Sequence, residues 1–180
     1  MRVFYALWPD ADVRACIAEA AGALSLGSVA RRVPVENYHL TLAFVGDVSP
    51  ARLAVLQQIG RDLRMAGCMI RFDAYEYWAE SQALVALARE APAELTELSR
   101  QLHAFDGAHG LDRIRRPLRP HVTLARKVAQ APVLQAMSPF HWSARSFSLV
   151  SSDTSGTHSV YTVVDTWPLL YESPTAQKSL

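Results

Sequence analysis

The string His-x-Thr-Leu-Ala occurs twice in this chain, as His39-Leu40-Thr41-Leu42-Ala43 and as His121-Val122-Thr123-Leu124-Ala125. Six His and eight Thr in 180 residues supply only about 0.3 His-x-Thr tripeptides by chance. Two copies with identical Leu-Ala continuations point to a duplicated unit. Polar and apolar residues alternate in each copy, and a strand built that way sets imidazole and hydroxyl on one face and the intervening residues on the other. The copies lie 82 residues apart, an offset that also pairs Val3 with Val85 and Pro50 with Pro132. The order strand, helix, His strand, helix, strand thus recurs. Such a repeat predicts a bilobal α+β fold with two similar lobes, each with an antiparallel sheet and flanking helices, related by a pseudo-two-fold axis. One His string from each lobe would face a central cleft, and residues 1–180 would make a single bilobal domain.

The remaining elements follow from local signals. Arg2 to Trp8, aromatic and β-branched and closed by Pro9, reads as a first strand. Asp10 is placed to cap a helix that carries Val13, Ile17 and Leu24 near one stripe and stops at Gly27. Ser49-Pro50 is a second helix start, a capping hydroxyl followed by a proline whose missing N–H costs nothing in the first turn, and Leu53, Leu56 and Leu63 continue it. Met69 to Trp78 reads as one strand, and Gln82 to Ala88, almost wholly apolar, as a central one. Leu95, Leu98, Leu102 and Phe105 mark the clearest helix, ended by Gly107 and Gly110. Beyond the second His string the pattern predicts a short helix near Pro132 to Met137 and strands at Trp142 to Ser151 and Val160 to Trp167. Ser152 to Ser159 reads as a hairpin loop and Glu172 to Leu180 as a frayed tail.

Half the residues are hydrophobic, 19% are charged, and the formal net charge is +1. That balance suits an ordinary globular core. It argues against a protein that coats long stretches of nucleic acid, since such binding neutralises many phosphates. Cys16 and Cys68 stand in no metal-type spacing, so reduced thiols in the cytoplasm are expected. The opening apolar run stops at Pro9, too short for a signal-peptide core, and no later run reaches membrane length. The expectation is a cytoplasmic monomer that does not engage a membrane.

Two His-Thr strands facing each other would bring together two proton-transfer groups and two hydroxyl donors, a set suited to chemistry on a small anionic group. The other histidines, His103, His109, His141 and His158, form no i, i+4 pair and read as structural or exposed. A metal centre on His39 and His121 would want a third ligand, and neither string holds an Asp or Glu. Arg113, Arg115, Arg116, Arg119, Arg126 and Lys127 cluster around the second string, either as a solvated basic loop or as a patch drawing a polyanion to the cleft. Arg126 is the strongest candidate for phosphate contact. Strict alternation from His121 would turn it away, and only a twist or strand end at Ala125 would bring it back. Phe4, Tyr38, Phe44 and Tyr161 are either core residues or platforms for a base.

The two His-x-Thr-x motifs resemble those of the two-histidine phosphoesterase superfamily, and within it the chain looks like the RNA 2′,3′-cyclic phosphodiesterases, also called 2′-5′ RNA ligases. The likeness covers nearly the full length. It includes the opening Val3-Phe4-Tyr5-Ala6-Leu7 strand, the run Asn37 to Gly46, Arg119-Pro120 before the second motif, and the closing Tyr161-Thr162-Val163-Val164 strand. The resemblance implies a two-lobed fold with no cofactor and no metal, acting on RNA ends or nucleoside 2′,3′-cyclic phosphates and leaving a 2′-phosphate. It also implies a reverse, ligase-like reaction. His121 would be the base that activates water and His39 the acid that protonates the departing 3′ oxygen. Thr41, Thr123 and Arg126 would bind the phosphate. The alternatives are the same site acting on another cyclic phosphate or a 2′-5′ oligonucleotide, and a non-catalytic RNA-end-binding protein.

Overall fold

A computed structural model describes residues 1–104, 117–153 and 159–170. Three helices and ten strands follow one another among them: β1 (Arg2–Leu7), α1 (Ala11–Gly22), β2 (Arg31–Arg32), β3 (Leu40–Asp47), α2 (Pro50–Asp62), β4 (Cys68–Phe72), β5 (Ala74–Trp78), β6 (Ala83–Leu87), α3 (Ala93–Ala104), β7 (His121–Arg126), β8 (Phe140–Ala144), β9 (Ser146–Asp153) and β10 (Val160–Pro168). They form two antiparallel four-stranded sheets, ordered β10-β9-β1-β3 and β2-β7-β6-β5, and a two-stranded ribbon of β4 and β8. The bilobal α+β expectation is borne out. Each large sheet holds one His-Thr strand beside a buried strand, β1 or β6, and β6 is buried at every position as its apolar run predicts.

The helix starts are where their caps put them. The Asp10 carboxylate accepts from Val13 N at 2.9 Å, and the Ser49 hydroxyl accepts from Arg52 N at 3.2 Å with Pro50 behind it. Helix α1 ends at Gly22 rather than Gly27. The Arg32 guanidinium reaches back to the Ala21 and Leu24 carbonyls and closes that end of the helix. On α2, Leu56 and Gly60 form the packed face, and a Cβ added to Gly60 would lie 2.5 Å from the Trp167 ring, so only glycine lets the helix approach β10 this closely. Leu63 falls one residue past the helix. Helix α3 buries Leu95, Leu98 and Leu102, while Phe105, Gly107 and Gly110 lie outside the described residues, as do Arg113, Arg115, Arg116, His109, His158, most of the predicted hairpin loop and the tail.

Three expectations are corrected. The single strand Met69 to Trp78 is two, broken at Asp73, whose carboxylate accepts from Arg89 N at 3.3 Å and from Arg71 at 2.6 Å. Trp142 to Ser151 likewise spans two strands, parted at Arg145. Each break lets the chain leave the β4-β8 ribbon for one of the large sheets, so a continuous strand-like stretch conceals a change of sheet. The helix near Pro132 to Met137 is absent. Bracketed by Pro132 and Pro139, the segment is too short to nucleate, and it anchors through the buried Met137 instead. The second lobe therefore lacks one helix of the first.

A single hydrophobic cluster runs through both lobes, from Val3, Leu7 and Leu42 on one side to Leu84, Val122 and Leu124 on the other. It seats the two His strands on a common core. Among the described residues no helix is long and apolar enough to cross a membrane.

Candidate active site

The register beside each motif explains how the cleft is built. On β3, Ala43 lies opposite Tyr5 and Thr41 opposite Ala6, so Leu42 is skipped. On β7, Ala125 lies opposite Leu84 and Thr123 opposite Val85, so Leu124 is skipped. Both strands carry a bulge at the same motif position. Two consecutive residues, Leu42-Ala43 and Leu124-Ala125, turn inward, and the alternation beyond them is inverted. Phe44 and Arg126 are thereby returned to the face of His and Thr. The objection to Arg126 from strict alternation fails for this reason, and the clue was present in the adjacent apolar pair Leu-Ala. The carbonyl of each bulged leucine is taken up from outside: the Ser99 hydroxyl of α3 donates to Leu42 O at 2.7 Å, and Val33 N donates to Leu124 O at 2.9 Å. The register also revises the repeat. Ala6 and Val85 both face a motif threonine, so they are the equivalent pair, not Val3 and Val85.

His39, Thr41, His121, Thr123 and Arg126 line one cleft of about 220 Å³, with Phe44 at its rim. Sequence reasoning named all of these side chains, and the fold brings them together. Each imidazole is held by the backbone two residues earlier: Nδ1 of His39 donates to the Asn37 carbonyl and Nδ1 of His121 to the Arg119 carbonyl, both at 2.7 Å. A carbonyl only accepts, so Nδ1 carries the proton and Nε2 is the nitrogen left to exchange one. Neither threonine hydroxyl is engaged among the described residues.

The surroundings of the two rings differ. Trp8 stacks on His39 with centroids 5.5 Å apart and an interplanar angle of 5°, while Phe4 and Tyr161 close on it at 5.1 Å each. Burial pushes His39 down to about 4, helped by the charges of Arg126 and His121 and opposed by the bond to Asn37. His121 meets Trp78 at 4.4 Å, and the Arg119 guanidinium lies 5.5 Å from the centre of that indole while pairing with Glu76. Burial lowers His121 as well. Its backbone bond opposes that, Arg119 and Arg126 add to it, and Glu76 works against it. Sequence reasoning missed Trp8, one residue past β1, and Trp78, on β5 with β6 between it and the second motif strand; neither carries a local signal.

The remaining candidates fall elsewhere. Arg119 is committed to Glu76 and Trp78. His103 bonds the Ser99 carbonyl at 2.8 Å on α3, and His141 is exposed on β8. Phe4 and Tyr38 are core residues, whereas Phe44 is 51% exposed. No three His, Cys, Asp or Glu side chains converge as a metal site among the described residues. Cys16 and Cys68 are free thiols.

A fold of two His-Thr strands bulged at matching positions around one cleft defines a family. The model of the 2′-5′ RNA ligase superfamily matches residues 8–156, and the chain belongs to that superfamily. It is 28% identical over 170 residues to the RNA 2′,3′-cyclic phosphodiesterase of Escherichia coli (strain K12), covering 93% of this chain and 96% of that protein. It is 30% identical over 184 residues to the RNA 2′,3′-cyclic phosphodiesterase of Thermus thermophilus, covering 94% and 90%. Among solved structures, E. coli LigT complexed with NADP+ superposes with a TM-score of 0.83 over 93% of this chain and 97% of that one, at 28% identity. LigT complexed with 3′-AMP superposes with a TM-score of 0.82 at 26% identity, over the same shares of the two chains.

Proposed function

We propose that the chain is an RNA 2′,3′-cyclic phosphodiesterase, a hydrolase that opens the cyclic phosphate at RNA 3′ ends to a 2′-phosphomonoester. The observation that carries this reading is the pair of imidazoles on opposite walls of one cleft, each pinned through Nδ1 with Nε2 left for proton transfer. Relatives aligned over nearly their whole length carry that activity in their names. Opening the ring requires a water deprotonated on one side of phosphorus and the departing 3′ oxygen protonated on the other. The family resemblance assigns the first task to His121 and the second to His39. Thr41 and Thr123 donate to the non-bridging oxygens as charge builds on them, and Arg126 adds a charge-assisted bond.

Burial disfavours the charged form of both rings, and His39 is depressed further, to about 4. An acid on His39 must therefore gain its proton with the substrate, whose phosphate anion offsets the desolvation that disfavours imidazolium. With the 5′ hydroxyl of a second RNA in place of water, the same ring opening forms a 2′-5′ link as the P–O3′ bond breaks, and its reversal cleaves such a link. The free thiols suit a cytoplasmic setting.

The test is incubation with adenosine 2′,3′-cyclic phosphate and with an RNA ending in one. The expected product is the 2′-phosphate, formed equally in EDTA. Tight binding without turnover would leave only an RNA-end binder, and loss of activity in EDTA would overturn the metal-free scheme.

A further inference from the structure

A second hollow of about 260 Å³ adjoins the cleft and shares His39, Thr123, Arg126 and Tyr161 with it. Its walls add Arg31 and Lys127 beside Arg126, three cations in addition to Arg32, and among the described residues no Asp or Glu borders it. Among the described residues none of the three is paired with a carboxylate. Arg32 is no free cation there, since its guanidinium is spent on the carbonyls at the end of α1.

The clustering carries a cost, and the backbone fixes it in place. Arg31 lies directly opposite Arg126 in the β2-β7 ladder, a position where like charges repel. Lys127 has a φ of 56°, in the left-handed region that a residue with a Cβ rarely adopts. The next residue anchors that turn through both its backbone groups: Val128 N donates to Gln82 O at 3.0 Å, and the Tyr77 hydroxyl donates to Val128 O at 2.8 Å. The like-charge pair is what one bound anion relieves, and the turn at Lys127 places a third cation beside it.

We propose that this hollow is the subsite for a second phosphate of the substrate, the one on the 5′ side of the nucleoside that bears the cyclic phosphate. Arg31 and Lys127 hold it, and Arg126 stands between the two phosphates. The inference rests on the phosphodiesterase reading above. It sharpens the substrate class, because an RNA end always carries that 5′-side phosphate and a free nucleoside 2′,3′-cyclic phosphate never does.

The experiment compares kcat/KM for adenosine 2′,3′-cyclic phosphate with that for the same nucleotide bearing a 5′-phosphate, in wild type and in an Arg31→Gln, Lys127→Gln double variant. The 5′-phosphate should raise wild-type kcat/KM at least about tenfold, mostly through KM, as one charge-assisted contact allows. The double variant should bring that ratio close to one. Adenosine 2′,5′-bisphosphate should inhibit wild type about tenfold more tightly than adenosine 2′-phosphate, an advantage lost in the same variant. Equal rates on both substrates in an active wild type, or a preference that survives in the variant, would overturn the subsite and leave the phosphodiesterase reading standing. No hydrolysis of either substrate would instead overturn the reading on which the subsite rests.

Discussion

The two histidines occupy equivalent motifs and unlike neighbourhoods. Around His39 the wall is aromatic, made by Phe4, Trp8 and Tyr161, and offers no carboxylate. Around His121 a single indole separates the ring from an Arg119-Glu76 pair. Both rings share the bond from Nδ1 to a carbonyl two residues back and the bulge three residues on, so the repeat copied geometry and left the electrostatics to each lobe. The difference continues along the strands. After its bulge β3 returns an exposed Phe44 to the cleft, and β7 returns Arg126. The second motif thus sets a guanidinium at the cleft where the first sets an exposed aromatic ring.

The largest expected effect treats the lobes alike. In the proposed mechanism acid and base act in one displacement, so His39→Gln and His121→Gln should each reduce kcat by roughly 10²- to 10⁴-fold despite their different surroundings. Circular dichroism should show the fold retained in both. A fully active variant of either histidine would break the symmetry of roles and the mechanism with it. Next come the hydroxyls. Thr41→Val and Thr123→Val keep the branched shape and remove one donor to developing charge, worth about 1–3 kcal/mol, or roughly tenfold to a hundredfold in kcat/KM. Effects confined to KM would show that the hydroxyls bind the ground state only.

A third prediction concerns stability, and here the lobes should part. His39 is held at about 4 in the folded chain against 6.5 when free. Between those values the unfolded chain binds a proton that the folded chain refuses. The stabilisation is therefore complete above pH 6.5 and is lost as pH falls towards about 4, by roughly 3 kcal/mol at most. His121 acts in the same direction. Urea unfolding at pH 7 and at pH 4.5 measures the loss, and His39→Gln should remove most of it. A variant with the wild-type slope would mean that the aromatic wall does not exclude the charged ring.

Much of this arrangement was legible in the sequence because the motif repeats. A His-x-Thr pair seen twice fixes which face carries the chemistry and that two sheets must meet, and Asp10 and Ser49 announce their helices by side-chain hydrogen bonds that need no tertiary partner. What escaped depends on partners distant in the chain. The breaks at Asp73 and Arg145 are changes of sheet, and which sheet each half joins is set by strands distant in the chain. Arg31 matters only because the register sets it against Arg126, and Trp8 and Trp78 matter only because the fold brings their rings onto the motif histidines. The bulge lies between these cases, since two consecutive apolar residues mark where alternation fails while its consequence, Arg126 facing the cleft, needs the neighbouring strand.

The smallest expected effect tests the contrast itself. Glu76 lies near enough to His121 to oppose the effect of burial, so Glu76→Gln should lower the His121 pKa further, and the Arg119 left unpaired adds to the change. Trp8→Ala admits water beside His39 and should do the opposite, raising a pKa that burial holds at about 4. The pH dependence of kcat/KM reports the free protein, in which one proton must be shared by the pair, and its limbs belong to the pair rather than to either ring. The alkaline limb should therefore lie below 6.5 in wild type, the value of a histidine free of these surroundings, and move to still lower pH in Glu76→Gln. In kcat the same limb should lie at higher pH, because the bound phosphate anion raises both rings. Nuclear magnetic resonance titration of the two imidazoles separates the contributions: Glu76→Gln should move His121 and leave His39 in place, and Trp8→Ala should do the reverse. If each substitution moved both rings equally, the two neighbourhoods would form one electrostatic unit, and their difference would have no bearing on which ring holds the proton.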